Sequence, residues 1–102
     1  MYQAINLHDF REAFRIMGRS NNFSYDGLEI LFDGLEQYEE DTGTPIELDV
    51  IALCCDFNEV DLYEINQDYQ QDFADLEEAM EWLQEQTWVV GNTAETVIYQ
   101  AF

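Results

Sequence analysis

The chain predicts an α+β fold, a small and mostly antiparallel sheet of about three strands with three to four helices packed on it. Three observations lead there: stretches whose apolar residues recur at helical spacing, an apolar run after the single proline, and two β-rich segments flanking a Gly-Asn near the C-terminus. At 102 residues there is room for one acidic domain, residues 1–102, with roughly 65% of the unfolded surface buried on folding. The 47% apolar fraction and fifteen aromatic residues separate it from acidic disordered tails, which lack the hydrophobic surface needed to offset ordering entropy.

The first helix is expected from about Leu7 to Met17. Asn6 is its cap, Asp9 stands in the reciprocal position and Gly18 stops it, while Leu7, Phe10, Ala13, Phe14 and Met17 form one apolar stripe. A second helix begins after Ser24 and runs to about Glu40, ending at Thr42-Gly43 ahead of Pro45. Next, "IELDVIALCCD" (46–56) alternates and then turns apolar on both faces, the pattern of a covered strand. Val60 to Tyr69 reads as a short helix. A further helix spans about Asp75 to Gln86 with Leu76, Ala79, Met80 and Leu83 on one face. "TWVV", a Gly91-Asn92 turn and "TVIYQAF" close the chain as an antiparallel hairpin.

The charge is the strongest signal. There are 23 Asp and Glu against three Arg, no Lys and one His, a formal net charge of -20. Arg11, Arg15 and Arg19 lie within nine residues, and beyond Arg19 there are 21 carboxylates and no Lys or Arg. Nucleic acid and anionic membranes are held through Lys and Arg, so such a surface repels both and attracts basic proteins. Cys54 and Cys55 stand together without a second cluster, which excludes a disulfide framework. With no secretory signal pattern and no apolar run of about 20 residues, the expected compartment is the reducing cytoplasm.

Within the second helix the apolar set Leu28, Leu31, Leu35 and Tyr38 opposes an acidic set, Asp26, Glu29, Asp33, Glu36 and Glu40, with Glu39 beside it. At about 100° per residue the two sets occupy opposite faces. Asp75, Glu78 and Glu81 repeat the pattern in the last helix, and two such elements together approach the ~3.4 Å charge spacing of a DNA strand. A run of charge is ordinarily a solvated face. Here, however, like charges at i,i+3 and i,i+4 cost ~0.2–0.5 kcal/mol each, so the four neighbouring pairs oppose folding by roughly 1–2 kcal/mol. Glu39, Glu40 and Asp41 also crowd a helix C-terminus, where the macrodipole favours cations. Local rules broken without local gain mark functional surface.

Other chemistries fit less well. "DFNEVDLYEINQD" (56–68) has Asp56 and Asn58 at calcium-loop positions one and three, but Val60, Asp61 and Gln67 at three defining positions. The single histidine, His8, would have to serve any His–Cys pair with Cys54 or Cys55. No phosphate loop, metal spacing or triad is legible, so no enzyme, catalytic residue, metal or cofactor is expected. Arg15 and Arg19 are expected to pair with acids of the same molecule. Exposed tyrosines beside carboxylates, Tyr25, Tyr38, Tyr63 and Tyr69, have the composition of a protein interface.

In size, absence of Lys, extreme charge and the acidic faces of "YDGLEILFDGLEQYEED" and "DLEEAMEWLQEQ", the chain resembles the small acidic phage-encoded proteins that imitate DNA and block host defence. These include anti-CRISPR and anti-restriction proteins and inhibitors of uracil-DNA glycosylase. The resemblance implies an inhibitor acting in the host cytoplasm on the basic DNA-binding surface of a CRISPR effector complex or restriction enzyme. It would bind no nucleic acid directly, with Asp26, Glu29, Asp33, Glu36, Glu39, Glu40, Asp75, Glu78 and Glu81 standing in for phosphates. The alternatives are an anti-restriction or DNA-repair enzyme inhibitor, or an acidic adaptor that binds a basic protein without competing against DNA. Oligomeric state is open, a dimer included.

Overall fold

Hydrogen bonds from side chain to backbone punctuate this chain, and they decide most of the element boundaries. The computed structural model describes residues 5–19 and 21–102, which contain five helices and three strands. Helix α1 (Leu7–Ile16) opens with the expected capping box: the Asp9 amide donates to Asn6 Oδ1 at 2.8 Å, and the Asn6 amide to Asp9 Oδ2 at 3.4 Å. Helix α2 (Tyr25–Thr42) starts at Ser24, whose hydroxyl accepts from the Gly27 amide at 2.9 Å, and stops at Gly43 (φ 67°), whose amide reaches the Glu39 carbonyl at 2.8 Å.

The segment expected as a central strand is a helix, α3 (Val50–Asp56). Two local facts override its strand-like apolar pattern. Asp49 caps it, accepting from the Ala52 amide at 3.1 Å, and Val50, Leu53 and Phe57 recur at three and four residues to bury one face. A short apolar run cannot be assigned to helix or strand by periodicity alone. The strand follows instead, β1 (Phe57–Asp61), so the calcium-loop segment is a strand leading into helix α4 (Leu62–Asp68). Asp61 caps α4 in a second capping box with Glu64, which is why that helix starts two residues later than Val60. The insertion of α3 raises the helix count from the expected three or four to five.

Helix α5 (Leu76–Gln86) and the hairpin of β2 (Val89–Asn92) and β3 (Thr96–Gln100) complete the chain. Gly91 and Asn92 belong to β2 and do not form the turn expected there. The turn falls at Thr93–Thr96 because the Thr93 hydroxyl accepts from the Thr96 amide at 3.0 Å and pairs with the Thr96 hydroxyl at 2.6 Å. The sheet is antiparallel with order β1-β3-β2, and β3 is its centre.

Side-chain alternation along β3 sends residues to two separate cores. Ile98 packs with Phe10, Phe14, Leu28, Leu31, Leu35, Leu53 and Phe57, the contribution of α1, α2, α3 and one face of β1. Val97 and Tyr99 pack with Val60, Ile65, Ala79 and Leu83, the contribution of α4, α5 and the other face of β1. Helices therefore cover both faces of the sheet, with α2 on one and α5 on the other. A bulge between Val89 and Gly91 turns Val90 toward α2, and Gly34 accepts it. A Cβ on Gly34 would collide with Val90 Cγ1, so the missing side chain lets α2 lie close across the hairpin.

Among the described residues no helix is long and apolar enough to cross a membrane.

Candidate functional site

Helix α2 buries Leu28, Leu31 and Leu35 against the sheet, and this fixes which way its carboxylates point. Asp26, Glu29, Asp33, Glu36 and Glu40 are all exposed along the opposite face. The row advances 14 residues from Asp26 to Glu40, about 21 Å of helix axis, with roughly 5 Å between successive charges. Glu29 has one distant cation, Arg11 Nη2 at 4.0 Å, while Asp26, Asp33 and Glu40 have no ion pair among the described residues. The last turn contains no base. Beside its C-terminal half lies a cleft of about 730 Å³ lined by Asp33, Glu36, Gln37, Glu39, Glu40, Gly43 and Pro45.

Glu39 differs from its neighbours. It is half-buried, and its Oε2 accepts from the Ile46 amide at 2.8 Å, tying the loop after α2 back onto the helix. Partial burial pushes its pKa up, yet the balance lies below the ordinary carboxylate value, the Ile46 amide being one donor that favours the charged form. Its first role is to hold the loop.

Asp75, Glu78 and Glu81 are exposed on α5, but two of them are occupied locally. Asp75 caps the helix by accepting from the Glu78 amide at 2.9 Å, and Glu78 accepts from the Ala74 amide at 3.1 Å. More decisively, α5 covers the opposite sheet face from α2. The two rows therefore do not combine into one surface of doubled charge density, as the sequence alone suggested; they face away from each other across the sheet. Period within a helix is a local property, whereas the side on which a helix packs is not.

The arginines are mostly consumed internally. Arg15 meets Glu12 at 2.6 Å, and those hydrogen bonds hold the Glu12 carboxyl below its usual range and push the Arg15 guanidinium up. Arg11 donates to the Tyr25 carbonyl at 2.7 Å and lies over the Tyr25 ring, its Cζ 3.4 Å from the ring centroid. Arg19 has no ion pair among the described residues, so the pairing expected of it is absent there. On α3 the Cys54 thiol is half-buried, and burial pushes its pKa up, while Cys55 is exposed.

Sequence reasoning missed Glu59 altogether. On β1 its carboxylate accepts from the Ser24 amide at 2.7 Å, the Ser24 hydroxyl at 2.7 Å and the Thr96 hydroxyl at 2.6 Å, joining the start of α2 to two strands. Among 23 acids nothing local distinguished it. It is structural, so the acidic residues divide into those that hold the fold together and those that stand free on its surface. No family model, curated protein or solved structure matches the chain.

Proposed function

We propose that the chain is a phage-type inhibitor that acts as an acidic DNA mimic in the host cytoplasm, occupying the basic DNA-binding groove of a defence nuclease complex. A CRISPR effector is the leading target and a restriction enzyme the next. The observation that carries the reading is the α2 row: Asp26, Glu29, Asp33, Glu36 and Glu40, exposed in line on a rigid helix in a chain without Lys. Effector complexes hold duplex and heteroduplex in positively charged channels, and a rigid anion seated there blocks target recognition. The role is inhibition by occupancy, without catalysis.

The row's spacing of about 5 Å is sparser than the ~3.4 Å of one DNA strand, so α2 presents about two-thirds of a strand's charge density. The α5 residues Asp75, Glu78 and Glu81 serve a different wall of the groove, because the sheet separates them from α2. A net charge of -20 steers association, so capture is fast at low salt and slows steeply as ionic strength rises.

The test is a pull-down from a bacterial lysate containing CRISPR and restriction systems at about 0.15 M salt, a condition with a Debye length of about 8 Å. The captured complex is then challenged with short duplex DNA. Displacement by duplex, and loss of capture for the Asp33→Lys, Glu40→Lys variant with a melting temperature no lower than that of the parent chain, are the expected results. A partner that is retained while its own DNA binding is untouched refutes mimicry and leaves an adaptor.

A further inference from the structure

We infer that the cleft where the C-terminal half of α2 meets α3 and the hairpin receives an arginine side chain of the partner protein. Its geometry is independent of the proposal above, while the partner's identity as a basic protein rests on that reading.

The cleft has a volume of about 500 Å³, within the ~300–1,000 Å³ of ligand-binding pockets. Its wall is aromatic. Tyr38 lies 5.5 Å from Trp88 at a 32° tilt, and Phe57 supports Trp88 edge-on at 5.6 Å and 79°. Leu35 and Leu53 belong to the core behind, so the aromatic rings are braced, yet Tyr38 remains 46% exposed. The rim is anionic: Glu47, Asp49 and Asp56 line the same cleft. Glu47 and Asp56 make no side-chain hydrogen bond or ion pair among the described residues, and Asp49 uses one oxygen to cap α3.

An aromatic wall with the exposed Tyr38 ring beside half-buried Trp88, inside a carboxylate rim, selects the occupant. An anion is repelled, and a neutral apolar group strips water from the carboxylates without replacing its hydrogen bonds. A lysine ammonium is compact and strongly hydrated, with no plane to stack. A guanidinium is planar, weakly hydrated and permanently charged; it stacks on aromatic faces while its N–H fork meets carboxylates. The chain already contains this arrangement once, where the Arg11 guanidinium lies over the Tyr25 ring with Glu29 at its edge. Among the described residues that line the α2–α3 cleft are the ring and the carboxylates of such an arrangement, and no Arg.

The experiment titrates the full ¹⁵N-labelled chain with N-acetyl-arginine methylamide, followed by NMR, with the citrulline and lysine analogues as neutral and ammonium controls. Saturable shifts of the Trp88 indole N–H and the Ile46 and Ala52 amides are expected with arginine. The citrulline analogue should leave them in place, and the lysine analogue should bind several-fold more weakly. Glu47→Gln with Asp56→Asn should weaken the arginine site about three- to tenfold at unchanged melting temperature. Shifts scattered equally over α2 and α5 with arginine and lysine alike, or none at Trp88, overturn the inference. In the captured complex, release by α2 charge reversal but not by the Glu47, Asp56 variant also overturns it, while mimicry stands. Arginine binding in the cleft without any duplex competition upholds it, while mimicry falls.

Discussion

Glu59 and Gly27 form a coupled pair whose energetics follow directly from the structure. The Glu59 carboxylate accepts three hydrogen bonds, two from Ser24 and one from Thr96, and it lies against the first turn of α2 so closely that a Cβ on Gly27 would collide with it. Glu59→Ala removes all three. Hydrogen bonds to a charged acceptor contribute ~1.5–3 kcal/mol, but the Ser24 donors regain water, so the net loss is about 2–4 kcal/mol. For a domain of this size that lowers the melting temperature by roughly 10–25 °C. Gly27→Ala alone displaces the carboxylate from the same donors and costs about 1–3 kcal/mol, even though Ala is the better helix former by up to ~1 kcal/mol. The three atoms nearest the added methyl all belong to the Glu59 carboxylate, and Glu59→Ala removes them. The double variant should then be no less stable than Glu59→Ala, and up to about 1 kcal/mol more stable. Urea unfolding of the four proteins, followed by circular dichroism with matched slopes, reads the cycle. Simple additivity would refute the contact as the reason for the glycine.

Removing a carboxylate from the α2 row should have the opposite sign. Asp33→Asn deletes repulsions with Glu29 and Glu36 and should stabilise by about 0.4–1 kcal/mol, an effect that thermal melts in 0.5 M salt should largely erase. Gly34→Ala forces Val90 away from α2 and should cost about 1–3 kcal/mol in chemical denaturation; an unchanged midpoint would show that the hairpin adjusts freely. Tyr99 provides a pH test. Burial and the hydrogen bond to Tyr69 at 2.8 Å push its phenol up, so its folded pKa exceeds the unfolded value. Its contribution is complete below about pH 10 and is lost as pH rises beyond that, because the unfolded state then releases the proton first. Denaturant titrations between pH 9 and 11 should show stability falling, with a shallower slope in Tyr99→Phe.

The split between structural and surface carboxylates has a functional consequence. Glu59, Glu39, Asp49, Asp61 and Asp75 each hold a backbone amide, so neutralising them weakens the fold before it reaches any partner. Mutagenesis of the interaction surface therefore belongs at Asp26, Asp33, Glu40 and Glu81, where loss of binding is separable from loss of structure.

The sequence by itself determined what depends on neighbours within a few residues. The caps at Asn6 and Ser24, the stop at Gly43, the buried and charged faces of α2 and α5, and the antiparallel hairpin all follow from spacing and side-chain chemistry that act over one or two turns. Tertiary structure decided the rest. The Asp49 cap of residues 50–56 is as local as those at Asn6 and Ser24, but helix won over strand because Val50 and Leu53 bury together on one face, a preference that an apolar run does not reveal until its surroundings are set. The two acidic rows parted because Ile98 faces one core while Val97 and Tyr99 face the other, and alternation along β3 assigns α2 and α5 to opposite sides. Glu59 acquired its role from donors 35 and 37 residues away, and the aromatic cleft from four elements distant in the chain. Helical period is written along a segment, but contact between segments depends on how the whole chain closes around its sheet.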